Sequence, residues 1–172
     1  MAMVSKSELK DTSLMTTIEN QIIETWRIHN RILLSMIKNI SGDAMKATLS
    51  TRGGRDVARQ LAHLHMVRIW RLEPFSKKLK TGLVKFEKGE SPEKKKLLEA
   101  FEQSGVVMEE YLQYCIDNGG AVPNFKRGVV PMLGYFISHE AHHRGSILLT
   151  MKQCGFTLPA ALKWGIWEWN KM

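Results

Sequence analysis

Residues 18–37, IENQIIETWRIHNRILLSMI, carry the periodicity that decides the fold. Their large apolar side chains recur at steps of three and four residues, and the clearest are Ile18, Ile22, Trp26, Leu33 and Ile37. Because one face of an α-helix repeats at this interval, the pattern predicts an amphipathic helix over about residues 14–40. The Ser-Gly-Asp sequence at 41–43 ends it.

Three further segments have helical periodicity and recognisable start signals. Asp56 is a good N-cap for the second, and Ser91 followed by Pro92 places a cap before a proline at the first helical position of the third. Gly, Pro and Asn-Gly-Gly sequences end them. The predicted spans are about 56–74, 92–117 and 128–155.

These segments predict an all-α fold, because no stretch alternates as a β-strand does. We expect a four-helix bundle that forms a single domain over residues 1–172. The connection after the second helix is long enough to let helices 2 and 3 run parallel, which gives an up-down-down-up order. The tryptophan-rich end of the chain, LKWGIWEWNKM, is predicted to form a short helical tail.

Composition favours a cytoplasmic globular protein. The 172 residues are 44% hydrophobic and 24% charged, with two cysteines, so a disulfide framework is not expected. The sequence contains no apolar run of the roughly 18 residues that a membrane span needs. The N-terminus is polar and lacks the apolar segment of a signal peptide.

The net charge of +8 raises nucleic acid as a partner, but its distribution argues against one. Many of the lysines lie between positions 77 and 96, where Phe86 is the one aromatic residue, so stacking platforms for bases are missing. We therefore interpret this run as a solvated connection and expect a small-molecule substrate, with neither nucleic acid nor membrane as partner.

The sequence His139-Glu140-Ala141-His142-His143 matches the H-E-x-x-H pattern of zinc proteases. The metzincin extension fails, because the positions that need Gly and His hold Ser146 and Leu149. Zincins also set this helix beside a sheet, and no strand is predicted upstream. A metalloprotease is therefore a weak alternative.

The two histidines one turn apart, His139 and His143, share a face with apolar residues of the fourth helix, and this spacing lets them chelate one cation. A catalytic metal site usually has three protein ligands and an open position. In the second helix, His63 and His65 point in opposite directions, so at most one can join them. Apolar periodicity slightly favours His65.

Three segments resemble the DinB/YfiT-like superfamily of metal-binding four-helix bundles. They are GGRDVARQLAHLHMVR at 53–68, FISHEAHHRGSI at 136–147, and the Pro- and Trp-containing ending GFTLPAALKWGIWEWN at 155–170. In the first, the spacing from the family's polar cap and valine to its ligand histidine selects His63 over His65. The resemblance therefore implies a metal site of His63, His139 and His143.

The same resemblance implies one divalent ion, zinc, nickel or iron, and often a homodimer. Several relatives are S-transferases that use a low-molecular-weight thiol (bacillithiol, mycothiol or glutathione), and others are hydrolases, for which the ion activates water. A non-enzymatic metal-binding or stress-response bundle is the alternative. Glu140 is the candidate catalytic residue, as a proton acceptor at the site, although pairing with Arg144 one turn later explains it equally well.

Overall fold

The computed structural model describes residues 17–79 and 82–172, and these form a bundle of four long helices. The bundle also has one short helical turn and three short 3₁₀ segments among the described residues. The 3₁₀ segments are Ala44–Lys46, Gly165–Trp167 and Trp169–Lys171. The predicted all-α architecture with a short C-terminal helical tail is confirmed. The helices are α1 (Ile18–Asn39), α2 (Val57–Leu79), α3 (Lys94–Asp117), α4 (Val129–Gln153) and α5 (Ala160–Lys163).

Contacts between the helices fix their directions. On α1, Trp26 donates to the carbonyl of Gly105 in the middle of α3, while the end of α1 meets Lys94 at the start of α3, so these two are antiparallel. Helices α2 and α3 are parallel, as His65 contacts Phe101 and, further along both helices, Phe75 contacts Tyr111. Contacts of Trp26 with Phe136 and of His29 with Glu140 make α1 and α4 parallel. The predicted up-down-down-up order is therefore observed.

Some predicted helix boundaries were wrong. Helix α1 begins at Ile18, with Thr17 as its N-cap, about four residues after the predicted start. Helix α3 begins at Lys94, with Glu93 as its N-cap, two residues later than the Ser91-Pro92 signal indicated. Helix α2 continues to Leu79, past the predicted end at Pro74. A proline inside a helix removes one hydrogen bond, and here Phe75 packs against Tyr111 and Tyr114 of α3, which holds the following turn in place.

The predicted start of α2 is correct. The Asp56 carboxylate accepts a 2.7 Å hydrogen bond from the backbone N–H of Arg59, as an N-cap does. On α1 the cap is Thr17, whose hydroxyl accepts from the N–H of Asn20. These caps satisfy N–H groups that the helices leave without intrahelical partners.

The apolar core consists of two clusters, one toward each end of the bundle. Each long helix contributes to both, and between them each places a buried polar residue that belongs to one hydrogen-bonded group. This central polar layer lies at the level of the H-E-x-x-H segment, where α4 switches from one cluster to the other. Its members are His29, Arg68, Ser104 and Glu140.

The connection between α2 and α3 is anchored on the bundle where the structure describes it. Phe86 is buried, and the Val84 carbonyl accepts a hydrogen bond from His65. The lysine side chains of this segment are exposed at Lys85 and Lys88. Among the described residues, no helix combines the length and the apolar character that crossing a bilayer requires.

Candidate metal centre

Three histidines from two helices converge beside the central polar layer. His63 comes from α2, and His139 and His143 lie one turn apart on α4. The ring centroids are 5.6 Å apart for His63 and His139, 5.0 Å for His63 and His143, and 4.8 Å for His139 and His143. One nitrogen from each ring lies within 4.8 Å of the other two, and all three residues are half-buried.

The chemistry of this cluster suits a divalent transition metal. A metal ion binds the neutral imidazole, and burial, the largest cause, lowers the pKa of His143 to about 4 and also lowers that of His63. The positive charge of Arg55 contributes to both shifts. In addition, the Nδ1 atom of His139 is buried without a hydrogen-bond partner. Three imidazole nitrogens at this spacing could hold one metal ion.

The remaining histidines lie outside the cluster. His65 is fully buried, its Nε2 atom is 2.8 Å from the Val84 carbonyl oxygen, and its ring packs between Phe86 and Phe101. The slight preference of the periodicity for His65 was therefore misleading, because its apolar surroundings are the core itself. His29 is buried against Glu140, and His142 is exposed.

Glu140, between the two α4 histidines in sequence, belongs to the polar layer. It is 1% exposed, and Arg68 donates to both of its oxygens, from Nε to Oε1 at 2.6 Å and from Nη2 to Oε2 at 2.7 Å. His29 Nε2 lies 2.8 Å from Oε2. Burial raises the pKa of Glu140, but the charge and hydrogen bonds of Arg68 and the hydrogen bond of His29 outweigh it and hold the pKa below its usual value.

The partner of Glu140 is thus Arg68 rather than the Arg144 considered from the sequence. Arg68 is completely buried, although a long charged side chain on a helix ordinarily extends its charged end toward solvent. Its Nη1 atom donates to Asn30, and its guanidinium lies 4.6 Å from the Trp26 ring centroid. The sequence gives no local signal for this pairing, since 72 residues separate the two charges.

Aromatic side chains surround the histidines. The ring of Tyr135 stacks on His139 at 6.0 Å with an interplanar angle of 8°, and Trp70 contacts His63 edge-on at 6.4 Å. Both aromatic residues are largely exposed. They therefore form an apolar rim on the solvent side of the cluster and restrict the orientations of two of its imidazoles.

The chain matches the model of the DinB family over residues 14–168. It belongs to the DinB family. No curated protein sequence matches it significantly.

Membership in the DinB family and the helical fold leave little basis for the protease interpretation. A zincin presents a sheet edge to its peptide substrate, and the described residues contain an isolated bridge between Val122 and Phe125 but no β-strand. In this DinB family chain, the histidines and the glutamate of the H-E-x-x-H sequence have different surroundings. The histidines face the cluster, and the glutamate faces the core.

Proposed function

We propose that this DinB family protein is a metal-dependent enzyme whose ion is held by His63, His139 and His143. The convergence of three imidazoles from two helices within 4.8 Å carries this proposal. Zinc, nickel and iron all suit nitrogen ligands. The activity we propose is S-transfer from a low-molecular-weight thiol, with hydrolysis by activated water as the second possibility on the same site.

A divalent ion with an open coordination position lowers the pKa of a thiol or of water and so supplies a nucleophile at neutral pH. The chain's own residues contribute position and surroundings. The three histidines present nitrogen donors, while Tyr135 and Trp70 contact two of the rings and restrict their orientation.

The engagement of Glu140 favours thiol transfer over hydrolysis. Both of its oxygens accept hydrogen bonds from Arg68 or His29 inside the core, so the carboxylate is committed before any substrate arrives. Hydrolysis commonly draws on a carboxylate or histidine as general base, whereas a coordinated thiol needs less help because its pKa is already lower. We therefore propose that Glu140 positions the metal-binding helix.

The hydrogen bonds that hold Glu140 in the core also support the second candidate, a non-enzymatic metal-binding bundle. A cluster of histidines without an available base is sufficient for binding an ion. Turnover separates the two functions.

We also propose that the protein is a cytoplasmic homodimer with a small-molecule substrate and no nucleic-acid or membrane partner. Size-exclusion chromatography with light scattering tests the dimer.

Metal analysis tests the site. The purified protein, dialysed against zinc, nickel or ferrous iron, should retain one ion per chain, and His63→Ala, His139→Ala and His143→Ala should each lose it. His142→Ala is the matched control, because His142 lies on the same helix with an exposed side chain and contacts His143 only edge-on, outside the group of three nitrogens. Full metal content in the three ligand variants would overturn the assignment.

A thiol screen tests the activity. Glutathione, bacillithiol, mycothiol and cysteine are each combined with monobromobimane or chlorodinitrobenzene, with and without the retained metal. Metal-dependent turnover with one thiol that His143→Ala abolishes supports the transferase. Stoichiometric metal without turnover for any thiol supports the binding protein instead.

A further inference from the structure

A cleft of about 590 Å³ adjoins the histidine cluster on the α2 side. His63 forms part of its wall, so the cleft and the cluster share one residue. Its other walls come from the start of α2 and from the connection that precedes α3. The volume is that of an ordinary small-molecule site, and one end of a ligand in this cleft would lie at His63.

Two arginines give the cleft a positive side. Arg55 lies just before α2, and Arg59 is in the first turn, four residues before His63 and therefore on the same helix face. Arg55 is exposed, and its charge is close enough to contribute to the lowered pKa values of His63 and His143.

Arg59 is held near the cleft with an unused donor. Its Nε atom is buried and makes no hydrogen bond, and the nearest carboxylate oxygen, of Asp56, is 3.7 Å away. Asp56 cannot move closer at no cost, because one of its oxygens caps α2 and the other accepts a hydrogen bond from Ser91. The Arg59 side chain is nevertheless 39% exposed, so its guanidinium is accessible to an anionic group in the cleft, with which it forms charge-assisted hydrogen bonds.

The acidic residues of the cleft do not cancel this charge. Glu90 accepts a 2.9 Å hydrogen bond from Lys96 and a second from the backbone N–H of Glu87. The Glu87 and Lys88 side chains are exposed neighbours of opposite charge. The two arginines therefore set the sign of the cleft.

Apolar and aromatic groups form the rest of the wall. Phe86 and Ala62 are buried beneath it, Met66 is partly buried, and Trp70 stands 61% exposed at the edge next to His63. Exposed tryptophans are a common means of binding flat apolar ligands. The wall thus combines a cationic end with an aromatic side.

We propose that this cleft binds an organic anion with an aromatic or apolar body, with Arg55 and Arg59 holding the anionic group and Trp70 and Phe86 the body. The proposal deepens the proposed function and rests on it for one point, namely that the reactive end of the ligand lies at the histidine cluster. Carboxylates and phosphates have the same chemistry toward a guanidinium pair, and the two are separated by the choice of probe.

Binding of three matched probes to the metal-free protein tests the proposal. 2-Naphthoate and 2-naphthyl phosphate carry the anion, and 2-naphthamide has the same body without charge. Titration calorimetry in EDTA should show at least one anion binding about tenfold tighter than the amide, as expected for charge-assisted hydrogen bonds. The tighter anion identifies the class.

Substitutions then locate the charge. Arg55→Gln and Arg59→Gln should each weaken binding of the anion by about fivefold or more and leave the amide unchanged. Arg127→Gln makes the same charge change at an exposed position outside the cleft and should alter neither. Circular dichroism verifies that the variants are folded.

Equal affinities for the anions and the amide, or anion binding unchanged in both arginine variants, would overturn the proposal. Because the titration is done without metal, this result does not depend on the proposed enzyme. Conversely, a wild-type protein that bound no metal or showed no turnover would refute the proposed function. The charge preference of the cleft would still stand.

Discussion

Arg68 and Glu140 form a buried, two-point salt bridge between the two helices that carry the histidine cluster. Arg68 is five residues after His63 on α2, and Glu140 is next to His139 on α4. The pair therefore fixes the register of α2 against α4 at the level where the imidazoles meet. A planar guanidinium that binds both carboxylate oxygens tolerates little sliding or rotation of either helix.

Replacement of Arg68 by methionine should destabilise the metal-free protein by about 3–5 kcal/mol, since it leaves the buried carboxylate of Glu140 without its cationic partner and with His29 alone. The double variant Arg68→Met, Glu140→Leu should recover part of this loss, because apolar residues can replace a buried ion pair at little cost, while the buried His29 loses its hydrogen-bond partner. Urea denaturation measures both. The double variant should still bind zinc more weakly than the wild type, as it no longer has the directional bond between the helices.

The exposed salt bridge of Arg27 with Glu109 is the matched control for this experiment. Its N–O distance is also 2.6 Å, but both side chains are partly exposed. Arg27→Met should therefore cost less than about 1 kcal/mol. An equal loss for Arg27→Met and Arg68→Met would contradict the role assigned to burial.

The helices were predictable from the sequence because each buries one stripe of apolar residues, of which Trp26 and Leu33 on α1 are examples. Their ends were less predictable. Pro74 predicts the end of α2, but the helix continues past it, because Phe75 packs against Tyr111 of α3.

Periodicity could not assign the third histidine for a related reason. His65 and Arg68 are polar residues inside the core, so the polar residues of α2 do not mark its solvent-facing side. The pattern therefore cannot tell which histidine faces the core. The spacing within a resembling motif indicated His63, and the structure places that residue beside His139 and His143. The salt bridge between Arg68 and Glu140 depends on how helices distant in sequence pack, and no local sequence pattern predicts it.

Gly105 should not tolerate alanine. A Cβ atom there would lie 2.8 Å from Cγ of Asn30, whose Oδ1 accepts a hydrogen bond from Arg68. We expect Gly105→Ala to destabilise the protein by about 1–3 kcal/mol through overpacking, even though alanine favours a helix by about 1 kcal/mol. Urea denaturation gives the change in the free energy of unfolding.

Gly134, on the exposed side of α4, is the control for Gly105. A Cβ atom there meets nothing within 4 Å. Gly134→Ala should therefore stabilise the protein by about 0.5–1 kcal/mol. If both alanine variants were more stable than the wild type, the close approach of α1 and α3 at Gly105 would not be as tight as described.

His65 should make the protein less stable in acid. Burial lowers its pKa to about 4 from an ordinary value of 6.5. Above pH 6.5 the residue is neutral in both states, and between pH 6.5 and 4 the unfolded chain binds the proton more tightly. The contribution of His65 to stability should thus fall by up to about 3 kcal/mol as the pH is lowered through this window, and His143, whose pKa is also lowered to about 4, adds to the loss.

His65→Gln tests this pH dependence, because glutamine keeps an N–H donor for the Val84 carbonyl but does not titrate. Denaturation in EDTA at several pH values should show a shallower loss between pH 6.5 and 4 for the variant than for the wild type. Arg127→Gln, at an exposed position whose side chain does not titrate in this range, should retain the wild-type slope. Identical slopes for all three proteins would exclude His65 as the cause.

Zinc should stabilise the folded protein through the histidine cluster. At a free zinc concentration one hundred times the Kd, binding to the folded state alone contributes about 2.7 kcal/mol, which raises Tm by roughly 5–10 °C in a chain of this size. The unfolded chain cannot bring His63 from α2 to His139 and His143 on α4, so it binds zinc more weakly. Differential scanning fluorimetry should show this rise for the wild type and for His142→Ala, and should not show it for His139→Ala. A zinc-dependent rise of the same size in His139→Ala would mean that the ion binds elsewhere on the protein.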